Sequence, residues 1–238
     1  MELIRDIWTQ KDYADLVSYL YSVADDKYRD FNKKLIPDEN DIIGIRIPVL
    51  RDIAKKISKG NIESFLKCIK GSTNEERILE GLVMASKRCD YEELLADMLR
   101  FASGIKNWAV CDTVKFKGAS KYKEYLIEDI DLFLLSQNPW LQRYGFKMLM
   151  ELYLKDEYID FVLDRVIEVN SDFYYLQMMQ GWLIATAAIK YADRVFALFK
   201  SGKLSTSVQN IAIQKMRESR RISDEDKIKA SQYKRDNK

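Results

Sequence analysis

Trp108 and Asp112, in the run GIKNWAVCDTVKFKG (104–118), stand four residues apart. On a helix that spacing puts an indole and a carboxylate on one face. The pair can do chemistry, but the same Asp can also be a cap, half of a salt bridge or a solvated surface charge. Three other features have comparable potential: Arg143 in NPWLQRYGFKML, Trp182 in YYLQMMQGWLIATAAIK with Tyr174 and Tyr175 upstream, and the basic run Lys115, Lys117, Lys121 and Lys123. Each has a plainer explanation. Large aromatics dominate cores, an Arg is usually a surface ion partner, and a Lys run usually solubilises a face. The chain contains no histidine, so the commonest general base and zinc ligand are missing. Any catalysis must rest on carboxylates, Lys, Cys, Tyr or a bound cofactor. Cys111 lies about 100° around the helix from Asp112 and has no His to activate it, so it reads as a small core residue.

The elements that must position these residues announce themselves by their caps. STNEERILEGLVMASKRC opens with Ser72 and Thr73, followed three residues later by Glu75 and Glu76, a doubled capping box. Asp90 opens DYEELLADMLRFASG, which stops at Gly104. Asn107 precedes the Trp108–Asp112 helix. Asn138 caps a helix with Pro139 at its first position, where the missing N–H costs nothing. Ser171 or Asp172 opens the Trp182 helix, and Ser205 opens STSVQNIAIQKMRESRRI. RIPVLRDIAKKISKG has Pro48 early and Gly60 as its stop. Leu79, Leu82, Val83 and Ser86 fall on one helical stripe, as do Phe146, Leu149, Met150 and Tyr153. No run alternates with period two. The fold class is all-α, with about a dozen helices.

The caps Ser72, Asn107, Asn138, Ser171 and Ser205 recur roughly every 31 to 35 residues, with a second helix between each pair. That rhythm, shorter than the roughly 40–47 residues of HEAT or armadillo units, predicts helix pairs stacked into a curved solenoid with a concave groove, successive first helices lying side by side. One domain spans 1–238: N-terminal cap and first repeats over roughly 1–71, regular repeats over 72–222, and a polar tail over 223–238 whose last residues fray. Composition agrees, with 47% hydrophobic residues, 32% charged, and only 9 Gly and 3 Pro, too few turn formers for an all-β protein. The net charge of +2 neither supports nor excludes nucleic acid. Three scattered cysteines, Cys68, Cys89 and Cys111, make no disulfide framework or metal-ligand pattern. The opening MELIRDIWTQKDYADL is too charged for a signal peptide. No apolar run nears the roughly 20 residues of a membrane span, so the expectation is a soluble cytoplasmic protein.

In order and separation, GIRIPVLRDIAKKI (44–57), NWAVCD (107–112), WLQRYGFKML (140–149) and YYLQMMQGW (174–182) resemble the AlkD-type DNA alkylation repair family of HEAT-like DNA glycosylases. IQKMRESRRISDEDK (213–227) is similar to the C-terminal segment of a divergent branch. No one motif is diagnostic; the series together covers most of the chain. The resemblance implies hydrolytic removal of N-alkylated purines, of the 3-methyladenine and 7-methylguanine type, from a base still in the duplex. It places the catalytic Asp on Asp112, the active-site Arg on Arg143, and the aromatic groove residues on Trp108 and Trp182. Lys115 and Tyr175 are further DNA-binding candidates.

The residue types suit that chemistry. An N-alkylated purine is cationic and leaves readily, so the lack of His is no handicap. Its departure leaves an oxocarbenium-like sugar, which a fixed carboxylate stabilises and indole faces attract. Arg143 would pair with a phosphate. The sequence departs from the family at Gln177, where a Lys is expected, and at Thr186 and Ala187, where polar or charged residues often stand. The expected partner is double-stranded DNA carrying alkylated bases, bound by a monomer, with no membrane, metal or cofactor involved. Two other readings stay open: a non-catalytic helical-repeat protein that binds DNA by shape, and a scaffold for another protein.

Overall fold

The computed structural model describes residues 1–37 and 39–236. Among the described residues there are fourteen α-helices, one 3-10 turn and no strand, and no helix is long and apolar enough to cross a membrane. The chain packs as two compact units, Met1–Ile127 and Glu128–Lys238. The boundary falls inside the stretch read from sequence as one run of regular repeats.

The first unit holds α1 (Gln10–Ser22), α2 (Asp26–Leu35), α3 (Ile47–Ile57), α4 (Ile62–Cys68), α5 (Asn74–Met84), α6 (Tyr91–Ser103), α7 (Trp108–Thr113) and a 3-10 turn (Lys117–Ser120); α8 (Lys123–Glu128) ends at the boundary. Helix α3 packs on α5, and α5 on α7, so alternate helices lie side by side around a core that includes Leu50, Ile57, Leu79, Val83 and Cys111. Thr73, not Ser72, caps α5: its side chain accepts from the Glu76 N–H while the Glu76 carboxylate accepts from the Thr73 N–H. Glu75 does something else. It is 1% exposed, and its carboxylate accepts the backbone N–H groups of Ile43, Gly44 and Ile45 at 2.9, 2.8 and 3.2 Å. Buried loop amides without such an acceptor cost stability. Gly44 allows the loop, with φ of +99° and no room for a Cβ, which would sit 2.6 Å from the Asp25 carbonyl oxygen. Helix α3 ends at Ile57, short of the expected stop at Gly60.

The second unit holds α9 (Asp131–Leu134), α10 (Pro139–Leu152), α11 (Ile159–Glu168), α12 (Tyr174–Ser201), α13 (Thr206–Glu218) and α14 (Asp224–Ser231). Here α10 packs on the alternate helix α12, and α12 on its neighbour in sequence, α13. Asn138 caps α10 with Pro139 in its first turn, and Ser205 caps α13. The start of α12 lies beyond the expected Ser171 or Asp172: Phe173 is the N-cap residue and its side chain makes no capping bond. The Ser171 hydroxyl instead accepts from the Phe173 N–H, a local turn that delays the helix. Near Lys190 and Tyr191 the long helix breaks. Tyr191 leaves helical geometry (φ −121°, ψ 42°), and its hydroxyl and the Lys190 ammonium both donate to Asp156. The tail is built into the unit through α14; the fraying expected at its very end falls on Asn237 and Lys238, outside the described residues.

Candidate active site

Helix α7 is barely two turns long, so its position depends on what holds its start. Asn107 is 3% exposed. Its side-chain oxygen accepts from the Val110 N–H at 3.0 Å, capping the helix. Its amide nitrogen donates to Glu39 and to Asn74, each at 3.0 Å. Glu39 in turn pairs with the buried Arg77, and Arg77 also donates to the Gly71 and Ser72 carbonyls. One buried network thus ties the loop after α2, the start of α5 and the start of α7 together, and it uses all of the Asn107 side chain.

Trp108 and Asp112 follow on this fixed base. Both are half-buried. The Trp108 indole N–H donates to the Leu35 carbonyl at 3.2 Å, which fixes the ring against the end of α2. One carboxylate oxygen of Asp112, Oδ1, is shut off from solvent. Cys111 is fully buried, as a packing residue should be. At Cys89, burial, then the charges of Glu93 and Asp97, push the thiol above the ordinary range, which disfavours the thiolate.

The residue after Asp112, Thr113, lines a cleft of about 550 Å³ in the same unit. Arg51 and Lys55 come to it from α3, and Lys115 and Lys117 from the segment after α7, against the single carboxylate of Asp52 among the lining residues. The basic run therefore divides. Lys115 and Lys117 face this cleft, whereas Lys121 sits over the Tyr122 ring and Lys123 pairs with Glu124. Arg51 and Lys55 were not singled out from sequence. They stand at i and i+4, a spacing that places them on one helical face.

In the second unit the candidates separate. Arg143 is buried, at 4% exposure, and its guanidinium donates to the Tyr175 carbonyl. That bond ties the guanidinium to the start of α12. Tyr175 is half-buried and stacks on Trp140 (centroids 5.3 Å apart, planes 27°), while Phe173 meets Trp140 edge-on at 5.2 Å. Trp140 had no assigned role in the sequence reading, although its one-residue distance from the Asn138–Pro139 cap marks it as a helix-start aromatic. Trp182 is 43% exposed, two turns further along α12. It lines a cleft of about 400 Å³ with Met150, Thr186 and Ile189 and two cations from the α13 side, Lys215 and Arg221. Gln177 is spent partly on the Ser171 carbonyl, to which its amide donates at 2.8 Å.

A cleft with four cations next to the end of α7, and an exposed indole in a cleft with two more, are arrangements suited to a polyanion. A family described as DNA alkylation repair enzyme matches residues 16–216. The chain belongs to that family. The match takes in both units, α7 with Trp108 and Asp112, the basic cleft beside it, and Arg143 and Trp182. No curated protein matches the chain. Membership supports a role in DNA alkylation repair, with DNA as the partner.

Proposed function

We propose that the protein is a DNA glycosylase that hydrolyses the N-glycosidic bond of cationic N-alkylpurines. What supports this reading is Trp108 and Asp112, matched to the family's catalytic pair by resemblance, on a helix whose start a buried cap network holds and whose Thr113 lines a cleft of four cations. In the reaction the C1′–N bond breaks and its electron pair neutralises the departing base. A water oxygen bonds to C1′ and its proton passes to solvent. Asp112 stabilises the positive charge that develops on the sugar and orients the water. Trp108 offers its face to the cationic nucleotide. Arg51, Lys55, Lys115 and Lys117 neutralise backbone phosphates.

Trp182, with Lys215 and Arg221, gives the second unit its own contact with DNA, and Arg143 positions Tyr175. The side-by-side packing of α3, α5 and α7 in the first unit and of α10 on α12 in the second supports a HEAT-like helical-repeat architecture. No cofactor enters the reaction, and a single chain in the cytoplasm carries it out.

The test is release of methylated purines from alkylated duplex DNA. The wild-type protein releases 3-methyladenine or 7-methylguanine, and Asp112→Asn loses the activity while keeping its fold and its DNA affinity. Binding without release by the wild type supports a module that reads DNA shape instead.

A further inference from the structure

A third cleft, of about 760 Å³, lies in the second unit, two turns before Trp182 along α12. That volume is in the range of a nucleotide-sized site. Its walls are the first turn of α12, one face of α13 and the tail after α14. Tyr174 stands at the α12 wall with 59% of its surface in water, although it is a large aromatic on an ordered helix. It is not loose. Its ring meets Tyr175 edge-on at 5.3 Å, and the Tyr175 backbone is held by the buried Arg143. An exposed, pre-positioned ring stacks a base at little entropic cost.

Arg217 on α13 and Lys234 on the tail supply charge at this cleft. Neither forms an ion pair among the described residues. Among the lining residues Glu218 is the one acidic group, and it is committed elsewhere. It accepts from the Gln214 amide and the Lys215 ammonium, which in that order hold its carboxyl below the usual range. The cleft therefore keeps a net positive charge.

Four hydrogen bonds fix the backbone on either side of Lys234. Asn210 exchanges two hydrogen bonds with the Arg235 backbone, at 2.7 and 3.0 Å. Gln209 donates to the Tyr233 carbonyl, and Arg235 donates to the Leu204 carbonyl. Tyr233, the residue before Lys234, stacks on Phe196. Gln177 and Gln214 each use one amide N–H on a protein acceptor, leaving a carbonyl oxygen and a second N–H. Any base edge can meet these groups, so a preference among bases rests on stacking on Tyr174, which is stronger for a purine.

We propose that this cleft binds one nucleotide unit, with its base on Tyr174 and its phosphate between Arg217 and Lys234. The source is either an unpaired nucleotide of a DNA strand or a free mononucleotide. The inference does not depend on base excision.

Fluorescence anisotropy of the full chain with labelled hexadeoxyadenylate and hexathymidylate, and ligand-observed NMR with deoxyadenosine monophosphate, test it. Hexadeoxyadenylate binds more tightly than hexathymidylate. Tyr174→Ala weakens binding by about five-fold or more, as loss of one stacked base should, and Tyr174→Phe restores it. Arg217→Gln with Lys234→Gln weakens it comparably, with thermal midpoints unchanged because all three side chains are exposed. Binding of the oligonucleotide alone assigns the site to a strand; binding of the mononucleotide assigns it to free nucleotide. No binding of either probe, or wild-type binding by both Tyr174→Ala and the charge variant, overturns the proposal.

Discussion

Asp112 and Trp108 were legible as a pair because helical spacing alone puts i and i+4 on one face. What the spacing could not show is how each is held. The Trp108 N–H reaches a carbonyl 73 residues earlier in the chain, and nothing local in the sequence records that bond. Trp108→Phe keeps a ring and loses the bond, so it should cost about 1 kcal/mol in chemical denaturation. Arg143 shows the opposite limit. An Arg five residues past a cap looks like a surface cation, but its burial follows from the α10–α12 contact and not from its own helix. Trp182 is the more accessible aromatic: Trp182→Ala should weaken duplex DNA binding several-fold. With 43% of its surface in water, it should lower stability by no more than about 2 kcal/mol.

Helix starts were the most readable elements, because a cap is a local bond. Asp90, Asn107, Asn138 and Ser205 all cap where expected. The cap moved from Ser72 to Thr73 because Glu76 closes the box with Thr73, and Glu75 is drawn to the 43–45 loop. Asn107 carries a second job that its cap role hides. Asn107→Ala should lower stability by about 2–3 kcal/mol, by loss of the cap and of donors to the buried Glu39 and Asn74. Asn107→Asp keeps the cap oxygen but sets a carboxylate against Glu39. It should be at least as damaging at pH 7, and urea midpoints of the two variants decide this.

Lys87 is a comparable knot. Its side chain is 11% exposed and bridges Glu63, Glu93 and Asp97 at 2.6–2.8 Å. Burial pulls its ammonium down, but hydrogen bonds to Asp97, Glu63 and Glu93 outweigh that and raise it above the usual 10.5. The bond from Lys87 also lowers Glu63 below 4.5. The amine's contribution is complete below pH 10.5 and is lost as the pH rises above it. The carboxyl's contribution is complete above 4.5 and is lost as the pH falls. Lys87→Met should therefore cost about 2 kcal/mol at pH 7, and the gap from wild type should shrink toward pH 3.

At the scale of the molecule, the helical class and the cap rhythm were readable from sequence, since both rest on local periodicity. The two-unit division was not, because it depends on which helices find each other. The net charge of +2 hid a cleft where Arg51, Lys55, Lys115 and Lys117 gather, since summation over the chain erases location. If those cations meet phosphates, Lys55→Ala and Lys117→Ala should each flatten the salt dependence of DNA affinity by about one unit of slope. Binding titrations from low to moderate salt measure this.

The central claim concerns the carboxylate on α7. Alkylated duplex DNA incubated with the wild-type protein and with Asp112→Asn, followed by chromatography of the released bases, tests it most directly. The account predicts free methylated purine from the wild type and at least a hundred-fold slower release from Asp112→Asn, on the order of 3 kcal/mol of lost charge stabilisation. Equal release by both proteins, or none by the wild type at any salt concentration, would contradict it.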